Sequence, residues 1–176
     1  MVGLLINGGA SIESTAGEYR STPLILAAER GDVATVKVLL ETGANIEAQD
    51  SDGKTPLILA TMNRHEAVVE LLLEKGAQVN VCCDSGRYTP LLIAASHGHL
   101  ALVKLLLERG AKHEPGGDCD APLLAHVELQ QVTNGNQQKK DEYGAILKLL
   151  VESGNCVLPW RRRTRHKSLP FSTRIG

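Results

Sequence analysis

Rings are scarce in this chain. Its 176 residues include one Trp, one Phe and three Tyr, 3% of the total. So little aromatic surface argues against a β-sandwich and against a platform that stacks nucleobases, because both draw heavily on rings. Long hydrophobic runs are also missing. No stretch approaches the roughly 18 uninterrupted apolar residues of a membrane span, and the start shows no basic segment followed by an apolar one, so no secretory signal is read there. Four cysteines, Cys82, Cys83, Cys119 and Cys156, show no metal-ligand spacing, and two adjacent thiols make a poor structural disulfide. Reduced thiols inside the cell, in cytoplasm or nucleus, are the expected state.

What the chain has is an uneven charge. The net value is −1, but residues 1–159 carry 13 Lys and Arg against 20 Asp and Glu, and residues 160–176 carry six cations and no acid. An acidic body with a basic tail implies two parts.

The body repeats itself. Thr22-Pro-Leu-Ile-Leu-Ala-Ala, Thr55-Pro-Leu-Ile-Leu-Ala-Thr and Thr89-Pro-Leu-Leu-Ile-Ala-Ala recur at spacings of 33 and 34, and a weaker copy begins Ala121-Pro-Leu-Leu. Each full copy is followed by a second landmark, Val36 to Ala44, Val69 to Ala77 and Val103 to Ala111, ending in Gly-Ala. Pro and that Gly are 20 residues apart three times over and 32 apart from Pro122 to Gly154, which marks an insertion of about twelve residues. A period in this range is the signature of a stacked repeat. Thr as N-cap and Pro at the first helical position start a short helix. Gly31 and Gly98 turn the chain into a second helix with a Val/Leu stripe, and Gly43, Gly76 and Gly110 end it in the left-handed conformation. Turn-forming residues such as Asp50-Ser-Asp-Gly-Lys form a protruding finger before the next Thr-Pro.

The Thr-Pro-Leu-x-x-Ala-Ala openings, Gly98-His99 and the Leu-Leu-x-x-Gly-Ala closings resemble the ankyrin repeat family over residues 2 to about 154. That resemblance implies an all-α ankyrin-repeat solenoid of helix-turn-helix units with finger loops. It divides the chain into a partial unit 1–21, repeats 22–54, 55–88 and 89–120, and an interrupted repeat 121–154 with a loop at about 131–141. Residues 155–176 are expected to be a basic disordered tail. The sequence departs from the family in three ways. The family's His after Thr-Pro-Leu is Ile25, Ile58 and Leu92, so its inter-loop hydrogen bonds are lost. Arg64 stands where the turn Gly belongs. The fingers ending at Thr22 and Thr89 read as one residue longer than usual.

No nucleophile–base pair, phosphate loop or metal spacing stands out, so no catalysis, cofactor or metal is expected. His99 reads as the turn histidine of the repeat, and Cys82-Cys83 as inert finger thiols. Binding is the positive reading. The resemblance places Glu29, Arg30, Met62, Asn63, Ser96 and His97 at variable helix positions of a concave groove. Ser51, Asp52, Lys54, Ser85, Arg87 and Tyr88 fall on the fingers. Their mixed polarity beside an apolar Met and an amphipathic Tyr suits a protein partner. The tail, with Arg161, Arg162, Arg163, Arg165 and Lys167, admits a solvated segment, which is preferred, then a nuclear-import signal, then a nucleic-acid or acidic-surface contact. The sequence therefore reads as a protein-interaction scaffold, a monomer or a piece of a longer array. A nuclear or nucleic-acid-associated regulator acting through the tail is the alternative.

Overall fold

Three Thr-Pro pairs open three short helices, as their chemistry requires. The computed structural model describes residues 11–83, 88–112 and 137–153. The partial first unit up to residue 10 with its Val2, Leu4, Leu5 and Ile6, the finger tip with Ser85 and Arg87, the stretch bearing His113, Cys119 and His126, and the basic tail lie outside them.

Helices α1 (Pro23–Arg30), α3 (Pro56–Met62) and α5 (Pro90–Ser96) each have Thr as N-cap and Pro in the first turn. The Oγ1 atoms of Thr22, Thr55 and Thr89 accept the N–H of Ile25, Ile58 and Leu92 at 3.4, 3.4 and 3.2 Å. Each is followed by a partner, α2 (Val33–Glu41), α4 (Glu66–Glu74) and α6 (Leu100–Glu108). The last helix, α7 (Gln137–Glu152), packs on α6. First helices stack on first helices and second on second. Between the layers lies one core containing Leu24, Leu39, Leu57, Leu72, Leu91 and Leu106, all essentially inaccessible. At the position of Ala28 and Ala95 stands Thr61, fully buried, whose hydroxyl donates to the Leu57 carbonyl at 2.7 Å.

The units are also pinned at their edges. Glu13 Oε1 accepts the N–H of Asn45, Glu47 Oε1 that of Gln78, and Asn80 Oδ1 that of Lys112, each at 2.8 Å. These bonds, 31 or 32 residues apart in sequence, satisfy a loop amide of the following unit and couple nearest neighbours only.

The histidine replacements have a different outcome from mere loss. Ile25 clusters with Ala48 and Leu59, and Ile58 with Cys83 and Ile93. Finger and helix of adjacent units are thus joined by buried methyl groups where the family uses hydrogen bonds. This also explains Cys83, which is 5% exposed and belongs to that seam, whereas Cys82 is exposed.

The interrupted repeat differs from its expected bounds. Its loop was expected through about 141, with helix resuming at Tyr143, yet α7 begins at Gln137. The added turns, Gln-Gln-Lys-Lys-Asp-Glu, contain good helix formers and no Gly or Pro, and Gln137 Nε2 donates to Asp141 Oδ1 at 3.0 Å. Their polarity hides them from an apolar periodicity.

The finger lengths follow the sequence reading. The bridges Ala16–Ser21 and Cys83–Tyr88 span one residue more than the Asp50–Lys54 turn, where the Asp50 N–H donates to the Lys54 carbonyl.

Arg64 settles the register of its turn. It has φ +60°, the counterpart of φ +75° at Gly31 and Gly98, while Asn63 stays at −91°. A β-carbon in the left-handed region costs about 1–2 kcal/mol. Its ion pair with Glu66, at 3.7 Å between exposed groups, offsets little of that. Arg64→Gly is therefore expected to raise stability by about 0.5–1 kcal/mol after the greater unfolded-state entropy of Gly, and Asn63→Gly to give no gain. Denaturant melts of the two single variants check this.

Candidate binding face and its relatives

The turns that close α1 and α5 are each covered by a ring from a later helix. His65, the N-cap of α4, lies against Gly31, and its Nε2–H donates to the Glu29 carbonyl at 2.9 Å. Tyr143 lies in the same way against Gly98, and its hydroxyl donates to the Ser96 carbonyl at 3.2 Å. Glu29 and Ser96 occupy equivalent positions, two residues before the turn. Tyr143 thus does for the fourth unit what His65 does for the second, although nothing in the residue types announces it.

His99, equivalent to His65, stacks on His97 with centroids 5.7 Å apart. Burial holds its pKa below the ordinary value, and the charges of Arg64 and His97 push the same way. Since the folded value lies below the unfolded 6.5, the unfolded chain binds the extra proton. The contribution of His99 is present above about pH 6.5 and is lost as pH falls further. The melting midpoint is expected to drop between pH 7.5 and 5.5 with a component that His99→Asn removes. An unchanged slope in that variant would assign the acid sensitivity elsewhere.

Two adjoining cavities run along the face made by first helices and fingers. One, of about 620 Å³, is lined by Ser51, Asp52, Lys54, Met62, Tyr88, Ser96 and His97 together with Cys83 and Ile93. The other, of about 300 Å³, meets it at Lys54 and Met62 and adds Glu29 and Asn63 along with Tyr19, Ser21, Asp50 and Leu59. Nine of the twelve groove residues expected from sequence are therefore brought to one surface. Arg30 is exposed but lines neither cavity, and Ser85 and Arg87 lie outside the described residues. Tyr19, Ser21, Asp50, Leu59, Cys83 and Ile93 line the cavities without being among those expected. The signal for Tyr19 is its place in the first finger, three residues before Thr22 as Asp52 is before Thr55.

Hydrogen bonds order the first two fingers along this face. The Ser51 N–H donates to the Tyr19 carbonyl at 2.8 Å, tying the first finger to the second. Asp50 Oδ1 accepts the N–H groups of Asp52 and Lys54 at 3.0 and 2.8 Å. Lys54 donates to Asp52 at 2.8 Å, which raises the pKa of its ammonium despite partial burial. The Ser96 hydroxyl and His97 Nδ1–H both donate to the Ile93 carbonyl. Of the four large apolar side chains exposed among the described residues, Tyr19 (54%), Met62 (39%) and Tyr88 (47%) all stand here. No cluster of three metal-ligating side chains occurs among the described residues, and no described helix is long and apolar enough to cross a membrane.

Seven helices and no strands among the described residues, paired, stacked and separated by fingers, define a helical repeat solenoid. The family model for ankyrin repeats (3 copies) matches residues 1–83 and 49–119, and the chain belongs to that family. Its members generally mediate protein–protein interaction. Alpha-latrotoxin-Lg1a of Latrodectus geometricus is similar to this chain, 46% identical over 54 residues, which are 30% of this chain and 4% of the toxin. The chain thus matches only a small share of that relative's length.

Proposed function

We propose that the chain is a non-catalytic scaffold that offers the face between its first helices and fingers to a partner protein. The observation that carries this reading is the gathering of Tyr19, Met62 and Tyr88 on one surface bordered by carboxylates and Lys54. Solvent-exposed apolar side chains are common singly. A cluster rimmed by polar groups is the pattern of a contact surface. The bonds that tie the first two fingers together reduce the ordering cost of binding.

Apolar anchors near the centre of an interface carry most of its energy, commonly 2 kcal/mol or more each. Met62→Ala combined with Tyr88→Ala is therefore expected to lower partner capture about tenfold or more, on the scale of 1.4 kcal/mol per decade. Both side chains are exposed, so helical circular dichroism and the melting midpoint are expected to stay unchanged. Capture that survives the pair intact would remove the face from consideration.

A further inference from the structure

We propose that the chain's own basic segment, Trp160 to Lys167, docks onto this face and occupies it. The inference rests on the reading of the face as partner-binding. It concerns what covers the face when no partner does.

Charge is the first argument. Glu29, Asp50 and Asp52 line the two cavities, and Lys54, the one Lys or Arg among the described lining residues, already donates to Asp52. The described lining of the two cavities therefore has more carboxylates than cations, within an acidic body, and residues 160–176 carry six cations without an acid. The second argument is side-chain type. Four of the five residues from 161 to 165 are arginines, and a guanidinium both forks onto carboxylates and stacks on rings. Tyr19 and Tyr88 offer such rings beside those carboxylates. Trp160 supplies an apolar body for the surface at Met62. Reach is the third. Tyr143 touches Ser96 at one end of the larger cavity, and Ser153 lies ten residues further along, about 15 Å of helical rise. Residues 154–160 extend to about 23 Å at full stretch, enough to return. Tethering also gives the segment an effective concentration of about millimolar, so even weak attraction fills the face.

Trp160 is the chain's single tryptophan, which makes its emission a direct reporter in the full-length protein. The expected result is a blue-shifted maximum and acrylamide quenching several-fold weaker than in a free peptide of residues 156–176. Raising salt to about 1 M, where the Debye length is about 3 Å, is expected to move both toward the peptide values. Glu29→Gln with Asp52→Asn is expected to do the same at low salt without altering circular dichroism, and Tyr88→Ser serves as an independent second variant. Peptide-like emission in the unaltered chain overturns the proposal. So does a blue shift that survives both groove variants, which would put the tail elsewhere, or one that grows with protein concentration, which would make a second copy the occupant. Partner capture by the Met62→Ala/Tyr88→Ala chain is read separately, so the face can stand as a binding surface even where the tail proves not to cover it.

Discussion

Gly31→Ala is expected to cost about 2–4 kcal/mol, well beyond a typical surface change. Two independent penalties combine. Gly31 sits at φ +75°, where a side chain costs about 1–2 kcal/mol. A β-carbon built there would also meet Nδ1, Cε1 and Cγ of His65 at 2.5, 2.7 and 2.8 Å. The ring cannot retreat without breaking its bond to the Glu29 carbonyl, worth about 0.5–1.5 kcal/mol. Gly17 supplies the control, because it has φ +77° with open space around it, so Gly17→Ala isolates the conformational penalty. Gly98→Ala is expected to fall between, since the Tyr143 ring is 3.1 Å from the corresponding β-carbon. Chemical denaturation of the three variants gives the order Gly31, Gly98, Gly17. Equal losses at Gly31 and Gly17 would mean that His65 does not press on the turn.

Ile146→Ala tests the other large term, the docking of the interrupted repeat. Ile146 and Leu150 are wholly buried on α7, in one core with Leu102 and Leu106 of α6. Removing three methyl or methylene groups from such a site costs about 2–5 kcal/mol through lost burial and the cavity left behind. Because each unit contacts only its neighbours, detachment of α7 would bare the apolar face of α6 as well. The expected result is a lowered unfolding midpoint with increased aggregation. Lys139→Ala, on the exposed first turns of the same helix, is expected to change stability by less than about 0.5 kcal/mol. A loss below about 1 kcal/mol at Ile146 would show that α7 is not held against α6.

The frame of the molecule was readable because it is written three times. Thr-Pro openings, turn glycines and Gly-Ala closings each encode a backbone requirement, and repetition at 33 or 34 residues removes the ambiguity a single copy would leave. Arg64 was legible as an exception for the same reason, since Gly31 and Gly98 define what the position needs. What escaped depends on contacts between units. The carboxylate and amide clamps of Glu13, Glu47 and Asn80 use different residue types, so they do not form a motif. Tyr143 replaces a histidine, and only its position against Gly98 reveals the substitution. The start of α7 was missed because an exposed polar helix carries no apolar stripe. Most of the candidate face was legible, since the family resemblance fixes which positions point outward, but the tie between the first and second fingers runs through backbone atoms and leaves no trace in side-chain identity.

The buried methyl seam of Ile25 and Ile58 carries a consequence for acid conditions. An imidazole at those places would gain a proton in mildly acidic surroundings and strain the joints that align the fingers. Hydrocarbon there has nothing to titrate, so the joints along the finger edge keep their strength as the medium acidifies. The proton-sensitive contact sits instead at His99, beyond the far end of the first helices. Acidification would therefore act first where His99 meets His97, at the turn end of the same face, while the joints between the fingers hold.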